Sequence, residues 1–121
     1  MTVKILRELF RHLQFWESIY ETDRCENLTG PDGAVYNLHD IEYLYECRRL
    51  LSFRQRQAIE LCLYDNIRER DAAERMGISL TNPVAKYATN GLDKIVTLIL
   101  AGALPHYRPD DDVPAAENLA S

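Results

Sequence analysis

The sequence predicts a mainly all-α fold, a small helical domain containing a helix-turn-helix, with at most one short β-hairpin near residues 27 to 36. Three observations carry this. Apolar residues recur at three- and four-residue steps through several stretches, the period of an amphipathic helix. Within Arg68 to Leu92 two such halves meet at Gly77, and the second opens on Asn82-Pro83. With 121 residues, 46% hydrophobic and 27% charged, the chain suits a single hydrophobic core rather than a disordered, collagen-like or disulfide-stapled protein.

Residues 3 to 20 set Ile5, Leu6, Leu9, Leu13, Trp16 and Tyr20 on one stripe, widened by Phe10, Phe15 and Ile19, and are read as one helix. So much apolar surface must be covered, by the domain's own core or by a second copy in a homodimer. Gly30-Pro31-Asp32-Gly33 is a turn signal between Leu28-Thr29 and Ala34-Val35-Tyr36. A hairpin and an irregular loop pinned by Val35 and Leu38 are equally open readings there.

A helix over 40 to 51 is expected next, with Asp40 as its N-cap and Ile41, Leu44, Tyr45, Cys47 or Arg48, and Leu51 inward. Ser52 opens another, because Ser52 and Gln55 stand at capping-box spacing. That helix is expected to reach Tyr64, with Ala58, Leu61 and Cys62 facing inward and Ile59 and Leu63 flanking them. Ala72, Ala73 and Met76 then line one face of a helix over 69 to 76, closed by Gly77 with Ile78 beneath the turn.

Proline inside a helix costs roughly 3 kcal/mol, so Pro83 belongs at a helix start. Asn82 is a preferred N-cap, and a residue before proline is pushed out of the helical region as an N-cap must be. From Pro83 the inward positions Val84, Ala88, Gly91 or Leu92, Ile95, and Leu98 or Ile99 carry the helix to about Ala101, before Gly102. The helix-turn-helix therefore spans 52 to 101 of a domain over 1 to 104. Residues 105 to 121, with three prolines and an acidic triplet, read as a flexible acidic tail.

The net charge of −5 is unevenly spread. Residues 1 to 47 hold four basic and nine acidic side chains, 48 to 96 nine and six, and 97 to 121 one and four. The basic excess thus lies on the helix-turn-helix. Cys25, Cys47 and Cys62 show neither zinc spacing nor an even disulfide set, and a reducing cytoplasm is expected. No paired carboxylates, phosphate loop or nucleophile constellation appears, so no enzyme activity, cofactor or metal is expected. No segment reaches the roughly 18 apolar residues of a membrane span, and the charged N-terminal stretch does not resemble a signal peptide.

The face of the last helix opposite its apolar stripe carries Lys86, Thr89, Asn90 and Asp93, with Ala85 at its edge. Lys can donate to guanine, Asn can pair with adenine through two bonds, and Thr or Ala can touch the thymine methyl. Such a face is equipped to read base edges in double-stranded DNA.

Residues 50 to 96 resemble region four of bacterial sigma factors. Leu51-Ser52-Phe53-Arg54-Gln55-Arg56 is similar to that family's leucine-proline-x-arginine-x-arginine opening. Asp71-Ala72-Ala73-Glu74-Arg75-Met76-Gly77-Ile78-Ser79 is similar to its acidic-x-alanine-glutamate-x-leucine-glycine-isoleucine-serine core. The resemblance implies a helix that enters the major groove, with Lys86, Tyr87, Thr89 and Asn90 as base-reading candidates. It implies Arg54 and Arg56 on DNA phosphates, and Arg68 and Arg70 join them in the mechanism read here. Leu80-Thr81-Asn82-Pro83 replaces the family's shorter serine-led entry, and the recognition helix holds only Lys86 and Lys94 as cations. Residues 1 to 49 show nothing like the region that melts promoter DNA, so a complete sigma factor is not expected.

The sequence thus predicts a sequence-specific DNA-binding transcriptional regulator. The alternative, suggested by the acidic N-terminal half and tail, is a module that docks RNA polymerase or another regulator without reading DNA.

Overall fold

The computed structural model describes residues 1–79 and 82–107. Among the described residues the architecture is mainly helical, six α-helices and one two-stranded antiparallel hairpin, as the sequence predicts. The side chain of Asn82, and with it the expected N-cap, lies outside the described residues, as does the acidic tail from residue 108 onward.

The long N-terminal helix is two helices. α1, Val3–Arg11, begins on the Thr2 hydroxyl, which accepts from the Ile5 N–H at 3.2 Å, and ends at His12 with φ −104° and ψ 4°. That conformation, between the helical and extended regions, turns the chain before α2, Leu13–Asp23. The expected apolar stripe splits accordingly. Leu6, Leu9, Phe10 and Leu13 are buried, whereas Trp16 and Tyr20 are half-buried and Phe15 faces solvent.

The hairpin pairs β1, Asn27–Thr29, with β2, Val35–Asn37, in the register Leu28 opposite Tyr36, both buried. Two contacts decide the hairpin over the loop. Asp32 accepts from the Ala34 N–H at 3.3 Å and from the Tyr36 hydroxyl at 2.9 Å, tying the turn to the strand. The Tyr36 ring lies so close over Gly30 that an added Cβ there would sit 2.5 Å from Cε2.

α3 runs Leu38–Glu46, two residues earlier than expected, because Asn37 rather than Asp40 is its N-cap. The Asn37 side chain accepts from the N–H groups of His39 at 2.9 Å and Asp40 at 3.3 Å. A 3₁₀ turn over Cys47–Leu50 replaces the last turn of the expected helix.

α4, Phe53–Ile59, starts on the capping box of Ser52 and Gln55, both bonds 3.3 Å. The helical run continues to Tyr64 as a π-turn, Glu60–Tyr64. The wide turn shifts the phase of the inward face after Ile59, so Leu63 is buried with Ala58 and Ile59 while Leu61 and Cys62 are left half-buried, correcting the expected inward set.

α5, Glu69–Met76, buries Ala72, Ala73 and Met76 and closes on Gly77 at φ 71°. The Ile78 N–H reaches back to the Ala73 carbonyl at 2.8 Å, the bond that seals a helix with a left-handed terminal glycine. α6, Asn82–Leu100, is the longest element and crosses α4 at Gly91. The core extends beyond the expected domain boundary at 104, since Tyr107 is buried alongside Leu104. An aromatic column joins the N-terminal helices to the rest. Phe10 meets Tyr45 edge-on at 5.3 Å, and Tyr45 stacks on Tyr64 at 4.6 Å.

Candidate nucleic-acid interface

α6 presents two unlike faces because its apolar positions follow the helical repeat. Val84, Ala88, Leu92, Ile95 and Ile99 are seated in the core, and Lys86, Asn90, Asp93 and Thr97 stand on the opposite side in solvent. Lys86, Asn90 and Asp93 have no side-chain hydrogen bond or ion pair among the described residues, and the Thr97 hydroxyl donates to the Asp93 carbonyl at 2.8 Å.

The other two base-reading candidates lie at the edges of that stripe. Tyr87 is half-buried against the core. Thr89 is exposed, but its Oγ1 accepts a 2.7 Å hydrogen bond from Arg7 Nη2 of α1, so α1 runs along the Thr89 side of α6.

The four phosphate candidates divide. Arg54 is half-buried, and its guanidinium donates to the Met76 carbonyl, one of the orphan acceptors at the end of α5. Arg56 stands 5.6 Å from the Phe53 ring centroid. Arg68 and Arg70 are exposed at the start of α5, with no acidic partner among the described residues. Lys86, Arg68 and Arg70 therefore retain their full hydrogen-bonding capacity, while Arg54 has an internal task.

Arg7 and Arg11 are the residues that sequence reasoning missed. They stand one turn apart on α1 and line a 210 Å³ cleft whose far wall is Ala85, Ala88 and Thr89 of α6. Their spacing on one helix face was the only available signal, and nothing local connects Arg7 to a residue 82 positions away. Cys62 also lines the cleft. Burial, reinforced by Glu69 and opposed by Arg11, pushes its thiol up to about 11, so it is a protonated wall rather than a nucleophile.

Away from α6, acidic groups gather between α2 and α3. Burial and a hydrogen bond with Glu42 raise the Glu17 carboxyl above its ordinary value, although the Tyr64 hydroxyl donates to it at 2.6 Å. His39 sits between Glu42 at 3.1 Å and Glu26 at 3.3 Å. Among the described residues no group of three or more His, Cys, Asp or Glu side chains could hold a metal ion, and no helix is long and apolar enough to cross a membrane.

The chain matches no protein-family model, no curated protein and no solved structure.

Proposed function

We propose that this chain is a sequence-specific transcriptional regulator that lays α6 in the major groove of double-stranded DNA. The observation that carries the reading is the unpartnered stripe of Lys86 and Asn90, held outward by the seating of Val84, Ala88, Leu92 and Ile95 behind it. Lys86 would donate to guanine O6 and N7, and Asn90 would pair with the N6 and N7 edge of adenine. Arg68 and Arg70, with Arg56, would neutralise phosphates, fixing register without reading sequence. Arg54 serves the same interface indirectly by holding the end of α5 against α4. The resemblance to sigma region four supports the same use of α4, α5 and α6, in a cytoplasmic protein. A homodimer formed through the solvent-facing Phe15 edge of α2 would double the footprint of a single weak module.

A second reading is favoured by Leu50 and Phe53, which are 67% and 60% exposed at the entrance to α4. Such a surface suits docking to RNA polymerase or another regulator.

Binding of the full chain to duplex DNA across a salt series separates the two. DNA reading requires affinity that falls steeply with salt and weakens in Lys86→Ala. Absence of duplex binding at low salt, together with capture of RNA polymerase that is lost in Phe53→Ala, establishes the second reading instead.

A further inference from the structure

Arg7 reaches across from α1 to α6, and the way it is held leaves most of its donors free. One of its five guanidinium N–H groups is used on Thr89 Oγ1. Because that oxygen accepts from Arg7, the Thr89 hydroxyl hydrogen is available to a further acceptor. Arg11, a turn along the same face, also lines the cleft and holds Glu8 at 3.0 Å through Nη1, which leaves the N–H groups on its other nitrogens without a protein partner among the described residues. The small side chains of Ala85 and Ala88 keep the 210 Å³ cleft open, and Leu63 and the protonated Cys62 thiol give it an uncharged floor. Among the described residues Glu69 is the one acidic side chain lining it, and with Glu8 paired to Arg11 the two arginines are matched by two carboxylates, so the cleft offers guanidinium donors rather than a net positive charge.

A helix lying in the major groove, about 12 Å wide, has a phosphate strand along each flank. α1 lies beside α6 on the Thr89 flank. We propose that the cleft between α1 and α6 receives a phosphodiester group of that flanking DNA strand, held by Arg7 and Arg11 with the Thr89 hydroxyl as a third donor. The proposal rests on the DNA-binding reading and deepens it. The N-terminal helix becomes part of the DNA interface, and Thr89 becomes a phosphate ligand rather than a base reader.

The test is fluorescence anisotropy of the full chain with duplex DNA at several salt concentrations, using Arg7→Ala, Arg11→Ala, Arg7→Lys, Glu69→Gln and, for comparison, Lys86→Ala. Loss of the contact in Arg7→Ala or Arg11→Ala should weaken binding evenly over unrelated sequences and lower the slope of log K against log salt by about 0.9. Arg7→Lys should keep the slope, since the charge is kept, which separates phosphate binding from a merely structural role. Glu69→Gln should tighten binding by removing the opposing charge. Unchanged slopes in both alanine variants, with Lys86→Ala still weakened, overturn the cleft while leaving DNA reading intact. Absence of any duplex binding at low salt overturns both.

Discussion

A Cβ placed on Gly91 of α6 would lie 2.8 Å from Cδ1 of Ile59 on α4, with Leu51 Cδ1 at 3.2 Å and Gln55 Cβ at 3.3 Å. Glycine is therefore what lets these two helices touch, and the touch sets how far the outer face of α6 stands from the domain. Alanine in a helix is worth about 1 kcal/mol over glycine, but forcing a methyl group into a packed contact costs about 1 to 3 kcal/mol. Gly91→Ala should accordingly lower stability by about 1 kcal/mol in urea unfolding. Adding Ile59→Val removes the blocking carbon, so the pair should cost less than the sum of its singles. A stabilised Gly91→Ala protein would show that the helices stand farther apart.

Arg54 and Arg68 look alike as cations beside the helix-turn-helix, but only Arg54 has an internal acceptor, the Met76 carbonyl. Arg54→Ala should cost about 1.5 kcal/mol, the value of a hydrogen bond with a charged donor. Arg68→Ala, at an exposed position, should change stability by less than about 0.5 kcal/mol and act on DNA affinity alone. Equal unfolding midpoints for the two variants would remove Arg54 from the framework of the fold.

The interface between α2 and α3 should make stability depend on pH. Partial burial works to lower the His39 value, but its bonds to Glu42 and Glu26 and their charges outweigh that and raise it above the ordinary 6.5. A raised value stabilises the fold fully below pH 6.5 and loses that contribution as pH climbs through the folded value. The ring is half-exposed, so the fall in Tm is small, about 2 °C. His39→Gln should abolish it. Glu17, also raised, contributes in the same direction below its ordinary 4.5 and loses that contribution as pH rises through its own folded value. A His39→Gln protein whose Tm falls just as much above pH 6.5 would contradict this assignment.

Local signals were legible wherever one short stretch sufficed to satisfy its own backbone. The Ser52 and Gln55 capping box, the turn around Gly30 to Gly33 and the left-handed close at Gly77 all appear as read. The break at His12 was not legible, because neither glycine nor proline marks it and the apolar repeat runs through it. The π-turn at Glu60–Tyr64 likewise leaves no trace in composition yet brings Leu63 inward in place of Cys62. Asn37 and Asp40 are both preferred cap residues three positions apart, and the sequence alone does not choose between them, whereas the structure caps α3 with Asn37. At the candidate site, the outward stripe of Lys86 and Asn90 follows from helical spacing alone. The roles of Arg7 and Arg54 depend on partners 82 and 22 positions away, which periodicity cannot supply.

Asn90 offers the most direct measurement. Its side chain stands in solvent with no protein partner among the described residues, so an amide there can pair with an adenine edge. Selection of bound duplexes from a random pool should yield a common sequence with the wild-type chain. Asn90→Ala should lose preference at one adenine position, by about 1 to 3 kcal/mol, while the rest of the sequence survives. An unenriched pool with the wild-type chain, or an identical consensus from Asn90→Ala, would contradict the claim that this face of α6 reads DNA.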